Sequence, residues 1–324
     1  MKKMIIVLVG VLVLGAFGAF GYLLVDRFGK PEEEVKQEPP VVEMTPQPTV
    51  DPVESLTGIG ELQEDWEHTY RVMAHALGGI DGKDYTNSLE AFILNYNQGT
   101  RLFEIDLDRT SDGDICLIHT WDDFRNKLTD VKGDWPMSTE EFKNTKIYGK
   151  YTPMLLDDLL NIMMEVPDFH IIIDSKTFDM EKTRSMYDQM VSDIEKKDPE
   201  LLKRFIPQAY TPEMYDALDQ EYDFDKIIFT LYHYYVESDG HKIYNFVKDR
   251  KVPVVVMHMN DDWGIRVITD IYEYARMDRH QDDFTIYIHT INDMKRAMEI
   301  INDYHFFGVY SDFITEQQLQ QQFQ

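Results

Sequence analysis

The chain of 324 residues is predicted to hold a (β/α)8 TIM barrel over residues 66–316, and three observations predict it. Eight apolar strand-like runs recur along this stretch: Arg71–His75, Leu102–Leu107, Ile171–Lys176, Phe205–Gln208, Lys226–Leu231, Pro253–Met259, Thr285–His289 and Phe307–Ser311. Helix-period segments lie between most of them. Leu89, Phe92, Ile93 and Tyr96 share one face and stop at Gly99, and Met180–Lys197 and Ile265–Met277 read the same way. Finally, ionisable residues gather at the ends of the early strands, where barrels of this class place their chemistry. An open doubly wound sheet is the alternative, but no Gly-rich phosphate loop follows the first strand.

Taken in order, residues 1–30 read as a membrane anchor. Met4–Val25 carries no charge and is long enough to cross a bilayer. A cleaved signal is the rival, given Ala16, Gly18, Ala19 and Gly21, yet the apolar run exceeds a usual signal core and no small-x-small site follows in polar sequence. We therefore expect an uncleaved single-pass transmembrane helix in the cell membrane, with the globular domain extracytoplasmic. Residues 31–65 are rich in Pro and Glu and are expected to form a disordered linker. The one break in the barrel pattern is Asp112-Gly113, a tight-turn dipeptide followed directly by Ile115–His119. That leaves no room for a crossover helix, so a β-hairpin insertion after strand 2 is expected, returning His119 toward Glu104 and Asp106. Gln317–Gln324 reads as a frayed helical tail.

A formal net charge of −27 argues against a nucleic-acid partner, which requires a dense Lys/Arg stripe. Cys116, the single cysteine, excludes an intramolecular disulfide and a cysteine-based zinc site, and its apolar neighbours suggest a buried thiol.

Alternate residues of a strand face one side, so Glu104 and Asp106 can converge, as can Asp174 and Lys176. With His75 and His119 they form a set that suggests a metal-assisted acid/base site and phosphodiester chemistry. Histidine suits both proton roles because it titrates near neutrality. Three carboxylates without a thiolate favour Mg²⁺ or Ca²⁺ over zinc. Lys176 either contacts phosphate or merely pairs with Asp174. Asn87, Trp121 and His289 are further candidate substrate contacts, although Trp121 could instead cap the barrel edge and His289 could be a packing residue.

Met73-Ala74-His75, Thr86-Asn87-Ser88-Leu89-Glu90-Ala91-Phe92, Phe103-Glu104-Ile105-Asp106, Asp112-Gly113 and Ile118-His119 together resemble the glycerophosphodiester phosphodiesterase family. That family reads His-Arg-Gly, Glu-Asn-Thr-x-x-Ala-Phe, Glu-x-Asp, Asp-Gly and His-Asp in this order. Ile173-Asp174-Ser175-Lys176 resembles its Glu-x-Lys, and Thr290-Ile291-Asn292 and Gly308-Val309-Tyr310-Ser311-Asp312 resemble its late strands. The resemblance implies a phosphoric diester hydrolase in which His75 and His119 exchange protons, Glu104, Asp106 and Asp174 hold a divalent cation, and Lys176 contacts phosphate. Four positions depart from the pattern. Ala76 replaces the arginine, Thr86 the acid of Glu-Asn-Thr, Thr120 the aspartate of His-Asp, and His289 a late tryptophan. Loss of the arginine removes a bidentate phosphate contact that lysine does not replace. Asp174 and the missing arginine resemble the sphingomyelinase D branch of the same superfamily. The expected substrates are glycerophosphodiesters or phospholipid headgroups. Alternatives are a phospholipase D or C type acting on intact lipid or a wall polymer, and a degenerate barrel that only binds a phosphorylated ligand.

Overall fold

Parallel strands joined by helices close on themselves in the computed structural model, which describes residues 51–232, 234, 239–259 and 262–324. The strands are β1 (Val72–Ala74), β2 (Leu102–Arg109), β3 (Ile115–Leu117), β4 (His170–Asp174), β5 (Phe205–Ala209), β6 (Ile228–Thr230), β7 (Val254–His258), β8 (Thr285–His289) and β9 (Gly308–Ser311). All except β3 pair in parallel, and β1 pairs with both β2 and β9, which closes the barrel. The connecting helices are α1 (Leu89–Asn97), α2 (Thr139–Asn144), α3 (Leu156–Glu165), α4 (Met180–Lys197), α5 (Pro212–Glu221), α6 (Gly240–Arg250), α7 (Asp262–Asp278), α8 (Met294–Asn302) and α9 (Glu316–Gln320).

Strand alternation sorts the side chains. On β2 and β4, Phe103, Ile105, Ile171 and Ile173 point outward to the helices, while Leu102 and Ile172 join Met73, Ile206, Ile228 and Val254 inside the barrel. Glu104 and Asp106 continue the inward face of β2, and Asp174 that of β4; Asp106 and Asp174 are register partners. Apolar layers thus fill the lower barrel and carboxylates its upper end.

The hairpin forms as expected: β3 runs antiparallel to β2, with Leu107 opposite Leu117. It stops at Leu117, so His119 sits just beyond it. The insertion is larger than a hairpin. Cys116, Ile118, Phe124, Leu128 and Phe142 build a small core of their own, with Trp121 and Trp135 packed against it. Cys116 is buried there and burial pushes its thiol well up, as an inert packing cysteine requires.

Two expected boundaries move. Residues 51–65 are stitched to the barrel: the Thr57 and Gly60 amides donate to Asn97 and Asp168, and Arg101 donates to the Gly58 carbonyl at 2.7 Å. The anticipated linker therefore ends before residue 51, and its remainder lies outside the described residues, as does the anticipated anchor. The Gln-rich end is helical through Gln320, with Leu319 buried, because Glu316 accepts the Arg71 and Val72 amides at 2.9 Å and fastens α9 under β1. Among the described residues no helix is long and apolar enough to cross a membrane.

His170, at the lower end of β4, gives a pH prediction. Burial lowers its pKa to about 4, and its Nε2 meets the Gln63 carbonyl at 3.0 Å. The unfolded imidazole protonates near pH 6.5, the folded one only near 4, so stability is lost as pH falls through that window. Between pH 7 and 5 the loss attributable to this group is about 2 kcal/mol. His170→Phe should flatten the pH dependence of denaturant unfolding by that amount; identical slopes would contradict the assignment.

Candidate active site

His75 leaves the end of β1 and is 2 % exposed. Its Nδ1 lies 2.7 Å from Asp312 Oδ1, and the other Asp312 oxygen accepts from Asn292 at 2.6 Å. The carboxylate behind the ring fixes its tautomer and orientation. Burial works against a charged imidazole here, but Asp312, Glu104 and Asp106 outweigh it and raise the pKa to about 9.

Glu104 accepts the Ala76 amide at 2.7 Å, which Ala76 can present because its backbone is left-handed, with φ of 50°. Burial, and then Asp106, hold the Glu104 carboxyl well above the usual carboxylate range. Asp106 is fully buried. That burial alone would raise its pKa, yet Lys176 and then His75 bring it below the usual value. Asp174 accepts the Lys176 amide at 2.9 Å and, on its two oxygens, the Tyr210 hydroxyl and the Lys176 ammonium. Lys176 has φ of 54°, which ends β4 and turns its side chain inward, placing Nζ 2.6 Å from Asp106 Oδ1. Burial disfavours its charge, but Asp106 and Asp174 more than compensate and hold it protonated.

Oxygens of Glu104, Asp106 and Asp174 all lie within 4.8 Å of one another. Asp106 Oδ1 is buried without an aligned hydrogen-bond donor, despite the nearby ammonium. Three carboxylates facing a single ammonium, with one such oxygen, fit a hard divalent cation.

His119, just beyond β3, is half-buried and reaches the site through Tyr85. Its Nδ1 lies 2.5 Å from Asp123, which in turn pairs with Lys127 at 2.6 Å. Thr120 caps the short turn that carries Asp123, accepting its amide at 3.0 Å. The aspartate absent at position 120 is thus replaced, one helical turn on, by Asp123. Tyr85 lies between the two histidines, edge-on at 4.5 Å from His75 and 5.0 Å from His119. Burial raises its hydroxyl to about 12, so the phenol stays neutral.

Of the expected substrate contacts, Asn87 is placed elsewhere in the scheme. It is fully buried, and both ends of its amide are used on Asp106, donating at 2.8 Å and accepting the Asp106 amide at 3.3 Å. It positions a carboxylate through one of its two N–H donors and one of its two oxygen lone pairs. Trp121 donates its indole N–H to the Arg109 carbonyl at 2.8 Å and packs on Phe124, Trp135 and Phe142, so it braces the insertion. His289 stands 4.8 Å from His75 with Tyr232 and Tyr310 beside it, and burial together with His75 keeps it neutral. Sequence reasoning missed Tyr85, Asp123, Tyr210 and the positioning role of Asp312. Only Asp123 left a readable signal, four residues after His119 on a capped turn.

A closed (β/α)8 barrel with two histidines and clustered carboxylates at its C-terminal mouth has the groups that acid/base chemistry on a bound substrate needs. The glycerophosphoryl diester phosphodiesterase family model matches residues 79–316, and the chain belongs to that family. It is a phosphoric diester hydrolase. The match begins after His75, whose place in the site rests on the geometry above. No curated protein matches the sequence. Among solved structures, a putative glycerophosphodiester phosphodiesterase from Galdieria sulphuraria is 16 % identical, with TM-score 0.60 over 78 % of this chain and 97 % of that one. The Thermotoga maritima enzyme is 19 % identical, with TM-score 0.55 over 79 % and 99 %. A phosphodiesterase from Oleispira antarctica, solved with its product sn-glycerol-3-phosphate, is 16 % identical, with TM-score 0.56 over 78 % and 95 %. At these identities the likeness establishes the shared fold.

Proposed function

We propose that the protein hydrolyses glycerophosphodiesters or phospholipid headgroups, with Glu104, Asp106 and Asp174 holding Mg²⁺ or Ca²⁺ and His75 and His119 exchanging protons. The carrying observation is the pair of His–Asp contacts flanking one carboxylate cluster, since a cleavage of this kind needs a base for the attacking oxygen and an acid for the leaving one. When bound, the cation would supply charge neutralisation of the phosphoryl oxygens. Lys176 would supply a single positive contact to the phosphate, without the bidentate geometry lost with the arginine at position 76. His75, oriented by Asp312, would serve the oxygen on one side of the phosphorus. His119, with Asp123 behind it, would then serve the oxygen on the opposite side.

Ala76 keeps a second reading alive, a barrel that binds a phosphorylated ligand without turnover. Release of glycerol 3-phosphate from glycerophosphodiesters separates the two. The proposal expects stoichiometric release, whereas saturable binding with no release would favour the binder.

For residues 1–30 we propose the uncleaved single-pass anchor, with the barrel outside the cytoplasm, supported by the uncharged run Met4–Val25. Mature protein should stay in the membrane fraction after a carbonate wash, and a chain starting near Asp51 should be soluble and fully folded. A mature N-terminus beyond about residue 20 would instead show a cleaved signal.

A further inference from the structure

A cavity of about 770 Å³ opens beside the catalytic centre, between the β2–β3 hairpin and the first turns of α4. His119 and Lys176 lie on its wall and His75 does not, so it extends from one side of the phosphoryl position only. Its volume lies within the roughly 300–1,000 Å³ usual for small-molecule sites.

The lining is chemically mixed. Beyond the centre it offers Arg109 and Lys182 as cations and Asp108, Asp179 and Glu181 as carboxylates. Thr120, Thr177 and Ser185 add hydroxyls. Most of this set already has one partner and keeps only residual capacity: Arg109 donates to Gln189 at 2.7 Å and to the Ser185 hydroxyl at 3.3 Å, Thr120 and Thr177 accept the Asp123 and Asp179 amides, and Asp179 caps α4. The Lys182 ammonium and the Glu181 carboxylate have no hydrogen bond or ion pair among the described residues. The two apolar liners, Leu107 and Met186, are only 3 % and 8 % exposed.

Each candidate occupant meets this wall differently. An acyl chain would need apolar surface that Leu107 and Met186 do not present. A quaternary ammonium group would call for an aromatic cage, and among the described residues no Phe, Tyr or Trp lines the cavity. A second anion would face three carboxylates. A neutral polyhydroxy alcohol, whose hydroxyls both donate and accept, matches alternating donors and acceptors.

We infer that this cavity takes the alcohol esterified to the phosphate and that this alcohol is a polyol, not a choline-like or acylated group. The inference rests on the phosphodiesterase reading. On hydrolysis the P–O bond to the polyol breaks, its oxygen takes a proton from His119, and water adds to phosphorus after giving its proton to His75.

The test is a substrate series with the full chain: the glycerol, choline and methyl diesters of sn-glycerol 3-phosphate, and a lysophospholipid. Wild-type protein should favour the glycerol diester over the choline diester and lysophospholipid by at least about tenfold in kcat/KM, on the order of one well-matched polar contact. Ser185→Trp, on an exposed helix position, should fill the cavity and remove that advantage through KM. The methyl diester leaves the cavity empty, so its KM should change far less than that of the glycerol diester. An unchanged glycerol-diester KM in Ser185→Trp, or a preference for the choline or acylated substrate, would overturn the inference. Should Ser185→Trp fail to fold, Lys182→Ala with Glu181→Ala replaces it with the same expectation. Absence of cleavage of every diester would overturn the phosphodiesterase reading instead. Calorimetry with the glycerol diester then decides the cavity separately: weaker binding in Ser185→Trp supports it, equal binding refutes it.

Discussion

His75→Ala and His119→Ala are each expected to lower turnover by about 10²–10⁴-fold on any substrate the wild type cleaves. Each ring stands at the mouth with a carboxylate fixed on Nδ1, Asp312 at 2.7 Å and Asp123 at 2.5 Å, leaving Nε2 for a reacting oxygen. Neither histidine belongs to the carboxylate cluster, so divalent-cation affinity measured by calorimetry should change little. Thermal unfolding should also stay close to wild type for His119→Ala, since that ring is half-buried. Asp312→Asn should reproduce part of the His75→Ala loss, because it removes the group that orients and charges the ring. Wild-type rates in both alanine variants would end the assignment of the site.

Chelation should have an effect of similar size. Glu104, Asp106 and Asp174 outnumber the cationic groups that face them, Lys176 and His75, so removing a bound cation would leave developing negative oxygens less stabilised. A metal contributes several kcal/mol to such stabilisation, so excess chelator should cost on the order of 10²–10³-fold in rate. Mg²⁺ or Ca²⁺ should restore activity better than Zn²⁺, because every proposed ligand is a carboxylate oxygen. Glu104→Gln should weaken cation binding at least about tenfold. Full activity in excess chelator would leave Lys176 as the working cation and remove the metal from the account.

The alternation of apolar runs made the barrel readable, because inward and outward faces of a parallel strand obey a period of two. The same rule put Glu104 and Asp106 together, and the turn at Asp112-Gly113 disclosed the hairpin. Other features were out of reach for physical reasons. Asp312 meets His75 across 237 residues, a separation that no local pattern encodes. Ala76, Tyr85, Asn87 and Lys176 all adopt positive φ without being glycine. Side-chain propensities give no warning of such backbones, which tertiary packing imposes. The left-handed backbone at Asn87 accompanies the contact of its amide with Asp106. The core of the insertion was hidden for a simpler reason: Phe124, Leu128 and Phe142 are dispersed over short turns that carry no sustained periodicity.

The central claim is that this centre converts a phosphodiester to a monoester through its two histidines. Phosphorus NMR of wild-type and His119→Ala protein, each with Mg²⁺ or Ca²⁺ and a glycerophosphodiester, tests it in one measurement. With wild-type protein the diester resonance should give way to a monoester, directly or through a cyclic diester, and with the variant it should persist. A diester resonance unchanged by the wild type, or lost equally fast with His119→Ala, would contradict it.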